Sequence, residues 1–171
     1  MNQEKLYKRL HEVFKYKNGH FYWKIKSSNR VKIGDKAGYV KANGYVAVTV
    51  DNKKYYAHRL VWLYHYKYLP TLIDHVDGNI LNNKIKNLRI ATASQNQHNR
   101  IINKNNTTGI KGLGIANFKR KDGYIYSYYR ISISNDHKRI RKLFSLDAKK
   151  EAINFLNLAR KKIHGEYARF K

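Results

Sequence analysis

The sequence predicts an α+β chain in two parts. The first is an N-terminal antiparallel β meander leading into a small strand-and-helix unit, and the second is a three-stranded antiparallel sheet backed by one helix. Three observations carry this prediction. Short runs rich in aromatic and β-branched residues are punctuated by Asn, Asp and Gly at turn spacing. Segments with helical apolar periodicity flank those runs. A polar stretch at residues 101–108, containing Asn-Lys-Asn-Asn-Thr-Thr and no apolar period, reads as a linker between residues 1–100 and 109–171.

The elements follow in order. Leu6, Leu10, Val13 and Phe14 stand at helical spacing, so residues 3–14 predict an amphipathic helix that ends before Asn18-Gly19. Residues 21–25, 37–40, 45–50 and 54–56 then read as strands, with Asn43-Gly44 and Asp51-Asn52 as tight turns of an antiparallel meander. Residues 58–66 look helical through Leu60, Val61, Leu63 and Tyr64, and Pro70 breaks the pattern. From Ala91 a polar helix runs to Asn99, with Thr92 or Ser94 as its N-cap. Beyond the linker, strands are expected at residues 112–118, 124–133 and 138–146, with turns at Lys121-Asp122-Gly123 and Asn135-Asp136. A helix over residues 147–164 keeps Ala148, Ala152, Phe155, Leu156, Ala159 and Ile163 on one face and stops at Gly165.

Charge narrows the partners. The chain carries 36 Lys plus Arg against 11 Asp plus Glu, a net charge of +25 over 171 residues interleaved with 15 Tyr. Such a chain self-repels unless a polyanion neutralises it, which points to nucleic acid. Cysteine is absent, so disulfides and thiolate zinc sites are excluded, and a bound ion would be a hard, oxygen-liking one such as magnesium or manganese. No apolar run reaches the length of about 20 residues that spans a bilayer, and the first residues lack a signal-peptide pattern. A cytoplasmic protein that is not secreted, with no membrane partner and no small-molecule cofactor, is the expectation.

The chemistry concentrates in Ile73-Asp74-His75-Val76-Asp77-Gly78-Asn79, Asn82-Asn83, Asn87-Leu88-Arg89 and the run from Gln95 to Arg100. Hydrolysis of a phosphodiester needs a deprotonated water in line with the leaving oxygen and a cation that offsets the charge building there. Imidazole suits the first task and Asp or Asn oxygen the second. On an extended strand Asp74 and His75 point to opposite faces, so one can hold a metal while the other meets water. The residues alone do not separate Asn96 from His98 or Asn99 as a further ligand.

These residues, together with His58-Arg59 and Gln95-Asn96, resemble the HNH nucleases of the ββα-metal fold, in the phage and intron-encoded homing-endonuclease branch. The close likeness covers about residues 57–100 and extends loosely back to Phe21. It implies a catalytic set of His75, Asn87 and Asn96: His75 as general base, Asp74 and Asn96 on a single divalent metal ion, and Asn87 holding the loop that positions His75. It also implies products with a 5′ phosphate and a 3′ hydroxyl. One reading has His58 supporting the metal site from behind and Arg59 contacting a phosphate, and the other makes both structural or solvated.

Residues 106–170 resemble the AP2 DNA-binding domain through Gly109-Ile110-Lys111-Gly112-Leu113, Tyr129-Arg130-Ile131-Ser132-Ile133, Leu143-Phe144-Ser145-Leu146-Asp147 and the closing His164-Gly165-Glu166-Tyr167-Ala168. The resemblance implies a sheet laid in the major groove of double-stranded DNA. Alternation alone puts Ile125, Tyr129, Ile131 and Ile133 on the core face, and Tyr126, Tyr128, Arg130 and Ser132 outward. Lys138, Arg139, Arg141 and Lys142 fall on both faces of their strand. Candidate DNA contacts are Arg59, Arg89, Asn99, Arg100, Lys119, Arg120, Tyr126, Tyr128, Arg130, Lys138, Arg139 and Arg141. The expected protein is a monomeric, metal-dependent DNA endonuclease. A DNA-binding protein with a vestigial nuclease motif and an RNA-binding protein are the other readings that this charge admits.

Overall fold

A computed structural model describes residues 2–98, 102, 105–135 and 138–168 of the chain. Two compact units, Met1–Ala91 and Thr92–Lys171, divide it, with the division falling before the third helix rather than at the polar stretch after residue 100.

The first unit opens with α1 (Gln3–Val13), capped by Asn2, whose Oδ1 accepts from the Lys5 amide at 2.9 Å. Its buried stripe is Leu6, Leu10 and Val13. Phe14 then turns extended and begins β1 (Phe14–Lys17), a strand where the apolar spacing predicted the last turn of helix and a loop. Asn18 and Gly19 follow with positive φ of 49° and 87° and join β1 to β2 (His20–Trp23) as a tight hairpin. A Cβ on Gly19 would stand 2.9 Å from the Lys84 amide nitrogen and 3.1 Å from the Asn83 carbonyl carbon. Only glycine lets that backbone lie so close to the turn.

β3 (Lys36–Ala37) completes a sheet in the order β1-β2-β3. Gly38 (φ 103°) breaks what the sequence reads as one strand, because a Cβ there would sit 2.7 Å from the Ala47 carbonyl oxygen. The chain therefore enters a second antiparallel sheet of β4 (Tyr39–Val40), β5 (Val46–Val50) and β6 (Lys53–Tyr56). The expected single meander is two small sheets.

α2 (Ala57–Tyr66) ends at Lys67, which takes a left-handed φ of 65°, so the helix stops on its own C-cap before Pro70 is reached. Leu60, Val61 and Leu63 on α2 are fully buried with Leu10, Phe14, Phe21, Val48 and Val50. Each such side chain stabilises the fold by roughly 1.5–3 kcal/mol relative to exposure. Their packing fixes the start of α2, where His58 and Arg59 sit. β7 (Ile73–His75) and β8 (Leu88–Ile90) form a two-stranded ladder anchored to the same core through Ile73 and Leu88.

The second unit begins at Thr92, which caps α3 (Ala93–His98): its Oγ1 accepts from the Gln95 amide at 3.2 Å, and Gln95 Oε1 accepts from the Thr92 amide at 2.8 Å. This is a reciprocal capping box, and it selects Thr92 over Ser94. β9 (Leu113–Lys119), β10 (Ile125–Ser134) and β11 (Arg139–Phe144) pair antiparallel in the order β11-β10-β9. α4 (Lys149–His164) covers one face, burying Ala152, Leu156 and Ala159 against Leu113, Ile131 and Ile133. Ile125 corrects the sequence reading: it lies on the helix side of β10 but beyond the reach of α4, and is 60% exposed. The Arg160 guanidinium is buried and donates to the Lys111 carbonyl oxygen. Among the described residues no helix is long and apolar enough to cross a membrane.

Candidate active site

The β7–β8 ladder organises the motif. Asp74 pairs with Arg89 and His75 with Leu88, and directly opposed residues share a face. Asp74 and Arg89 therefore occupy one side of the ladder, and His75 occupies the other with the buried Leu88. Arg89 donates from Nε and Nη2 to Asp74 Oδ2, both at 2.9 Å. A carboxylate this buried, with its side chain 6% exposed, would be costly without such a partner. Arg89, a candidate DNA contact on sequence, is thus held against Asp74.

His75 is buried, and its Nε2 lies 3.0 Å from Asn83 Oδ1. His58 meets it edge-to-face, with ring centroids 5.3 Å apart. Tyr45 stands 5.5 Å from His58 and 6.3 Å from His75, and Tyr56 stacks on His58 at 5.6 Å. Burial, and then the neighbouring His75 and Arg59, push the His58 pKa down to about 3. His58 is therefore a neutral ring at ordinary pH and adds no charge beside His75. Arg59 Nη1 donates to the Thr71 carbonyl oxygen at 3.2 Å.

Asn87 ties down the loop after His75. Its Nδ2 donates to Asp77 Oδ1 at 2.9 Å and to the Asn82 carbonyl oxygen at 2.8 Å, while its Oδ1 accepts from the Asp77 amide at 3.1 Å. Asp77 also accepts from the Asn79 amide at 2.8 Å and from Asn82 Nδ2 at 2.6 Å. Burial works to raise the Asp77 pKa, but the hydrogen bonds from Asn82, the Asn79 amide and Asn87, with the nearby His75, outweigh it and hold the carboxyl below its ordinary value. The result is a closed network in which one short loop supplies most of its own partners.

Asn96 is exposed on α3, in the second unit, and its amide donates to the Thr92 carbonyl oxygen at 3.0 Å. Asn99 and Arg100 lie outside the described residues. Among the described residues no group of three or more His, Cys, Asp or Glu gathers, so an ion at Asp74 would draw its other ligands from carboxamide, water and phosphate oxygens. Magnesium commonly binds in that way, through one or two carboxylates with substrate phosphate and water. The buried Asp74 carboxylate is an oxygen donor that fits such an ion.

On the second unit, pairing sorts the strand residues by face. Tyr126 opposes Phe118, Arg130 opposes Gly114 and Leu143, Ser132 opposes Arg141, and Ser134 opposes Arg139. All of these face away from α4. Phe118, Tyr126 and Tyr128 cluster with ring centroids between 5.6 and 6.0 Å, giving the outer face an aromatic end beside a basic end of Arg130, Arg139 and Arg141. Lys119 opposes Ile125 on the helix side. Lys142 is also on that side, its Nζ over the rings of Phe155 and Phe144 at 4.7 and 5.0 Å. Arg120 follows β9 and pairs with Asp122 at 3.8 Å, and Lys138 is exposed in the turn before β11.

Sequence reasoning quoted Asn83 within the Asn82-Asn83 pair of the motif but gave it no role, and it gave Tyr45, Tyr56 and Phe118 no place in a site. The doubled Asn82-Asn83 was the available signal for Asn83, but which of the two reaches His75 depends on the fold of the loop. Tyr45 and Tyr56 carried only strand propensity.

The sequence pattern of the HNH endonuclease family matches residues 55–98, from the end of β6 through α3. Protein 3.8 of Escherichia phage T7 is 33% identical over 100 residues, which cover 58% of this chain and 74% of that protein. An uncharacterized HNH endonuclease of Acanthamoeba polyphaga mimivirus is 29% identical over 133 residues, covering 76% of this chain and 64% of the mimivirus protein. No solved structure matches the chain. With the buried Asp74–His75 strand, the Asn87-pinned loop and α3 all inside the matched segment, the chain carries an HNH endonuclease domain at residues 55–98.

Proposed function

We propose that the protein hydrolyses a phosphodiester bond of double-stranded DNA, with His75 as general base and one divalent ion, magnesium or manganese, held by Asp74 and Asn96. The observation that carries this reading is the strand β7, which sets a buried carboxylate and a buried imidazole on opposite faces within the matched segment. A neutral imidazole can take a proton from water as a general base. When bound, the ion supplies positive charge opposite the departing 3′ oxygen. Arg89 fixes the orientation of Asp74, and Asn87 fixes the loop that follows His75. The products are then a 5′ phosphate and a 3′ hydroxyl.

The second unit acts as an AP2-like reader, with Arg130, Arg139 and Arg141 toward the duplex and Tyr126 and Tyr128 extending the contact. A β-sheet face of this kind suits the width of the major groove. Arg59, Lys138 and Arg120 add phosphate contacts, and the homing type follows if cleavage is confined to few sites on a large DNA.

His75→Ala tests the reading. Cleavage of a supercoiled plasmid in magnesium should fall by at least about 100-fold, the ordinary worth of a general base, while DNA affinity stays within about twofold. Wild-type cutting by the variant would reject His75 as base. Wild-type protein that binds the plasmid but leaves it intact with and without EDTA would reduce the protein to a binding module.

A further inference from the structure

Asn83 is a buried carboxamide, 2% exposed, inside a unit where few polar side chains are so enclosed. Its Nδ2 donates to the Leu81 carbonyl oxygen at 3.4 Å, an atom that can only accept, so Oδ1 is the end turned toward His75. Oδ1 is itself an acceptor only. The hydrogen of the 3.0 Å contact therefore sits on His75 Nε2, and a neutral ring with its proton there carries its basic lone pair on Nδ1.

The position of Asn83 is fixed from the other end of the unit. Its carbonyl oxygen accepts from the Tyr16 hydroxyl at 3.3 Å, and the same hydroxyl accepts from the Ile85 amide at 3.0 Å. One phenol thus spans the two sides of Lys84. Tyr16 is wedged against Phe21, Tyr64 and His65. Gly19, at the tip of the same hairpin, admits the backbone of residues 83–84 that any Cβ would push away.

We propose that Asn83 is a positioning residue: it locks His75 in the Nε2–H tautomer and so presents Nδ1 as the basic nitrogen, while the β1–β2 hairpin holds Asn83 in place through Tyr16. This rests on the reading of His75 as the base. A wrong tautomer with intact geometry is enough to disable a histidine base, so the lock acts on turnover and leaves DNA binding alone.

The test uses the full chain with nitrogen-15-labelled histidine, at a pH where the ring is neutral. Wild-type His75 should show its proton on Nε2, protected from exchange with water by burial and the bond to Asn83. Asn83→Leu should lose that protected resonance and lower kcat by about 10- to 100-fold, with KM and DNA affinity held within about twofold. Asn83→Asp, which keeps an acceptor oxygen, should keep the proton on Nε2. A wild-type ring protonated on Nδ1 overturns the proposal, as does an Asn83→Leu protein whose spectrum is unchanged or whose kcat is that of wild type. If Asn83→Leu fails to fold, the wild-type and Asn83→Asp spectra decide, and a proton on Nδ1 in either is the overturning result. The tautomer is read without cleavage, so activity surviving in His75→Ala would sink the base assignment while leaving this measurement to stand separately.

Discussion

At the scale of single residues, His58 makes the clearest statement about pH. Its folded pKa is pushed down to about 3 by burial, and then by His75 and Arg59, whereas in an unfolded chain it titrates near 6.5. Between those values the unfolded state binds a proton that the folded state refuses, so His58 favours unfolding increasingly as pH falls from about 6.5 toward 3. The slope has a ceiling of about 1.4 kcal/mol per pH unit. His20 and His65 are also shifted downward, chiefly by burial, and tilt stability the same way, so the difference between wild type and a His58 variant is the informative quantity. Denaturant unfolding at pH 7 and pH 5 should show wild type losing more stability than His58→Gln over that interval. Equal losses would mean that His58 is not the buried neutral ring described here. The Asp77 carboxyl has the opposite logic. It is held below its ordinary pKa, so its contribution is present at neutral pH and disappears only in acid, as pH falls through the folded value.

At the scale of elements, the β10 pairing converts an ambiguous basic strand into a testable surface. Arg130, Arg141 and Arg139 share the face away from α4, while Lys142 lies over Phe144 and Phe155 on the other. Arg130→Ala should weaken duplex binding, by about 1–3 kcal/mol if it reads a base edge, or with a loss of about one unit from the salt slope if it meets a phosphate. Lys142→Ala should leave affinity near wild type and act on the packing of α4. Titration of labelled duplex at several salt concentrations separates the two, and a larger binding loss in Lys142→Ala would reverse the assignment of faces. The same pairing shows where sequence was sufficient. The periodicities of α1 and α4, and the alternation at Ile131 and Ile133, follow from local spacing, and Asp74-His75 stands out because its chemistry is contiguous. β1 was missed because Phe14 continues the apolar spacing of α1, although Asn18-Gly19 was a hairpin signal. The break at Gly38 depends on the carbonyl of Ala47, and the Asn83 contact depends on a hairpin closing from residue 16. Neither partner is local, so neither was legible.

At the scale of the whole molecule, the charge and the single site determine what one encounter with DNA can do. On the proposed reading each chain supplies one base, His75, and one metal-binding carboxylate, Asp74, hence one activated water and one broken strand per event. A net charge of +25 on 171 residues opposes the approach of two free chains within a Debye length, about 10 Å at 0.1 M salt. The same charge accelerates the approach of one chain to a duplex and ties affinity steeply to salt, with a slope near 0.9 for each phosphate neutralised. On the proposed reading, a chain acting alone nicks. In a plasmid time course, open circles should accumulate before linear DNA appears, with an initial nicking rate proportional to protein concentration. Linear product at the earliest times, or a rate rising with the square of concentration, would instead mean that two chains meet on the DNA, their repulsion cancelled by the phosphates between them.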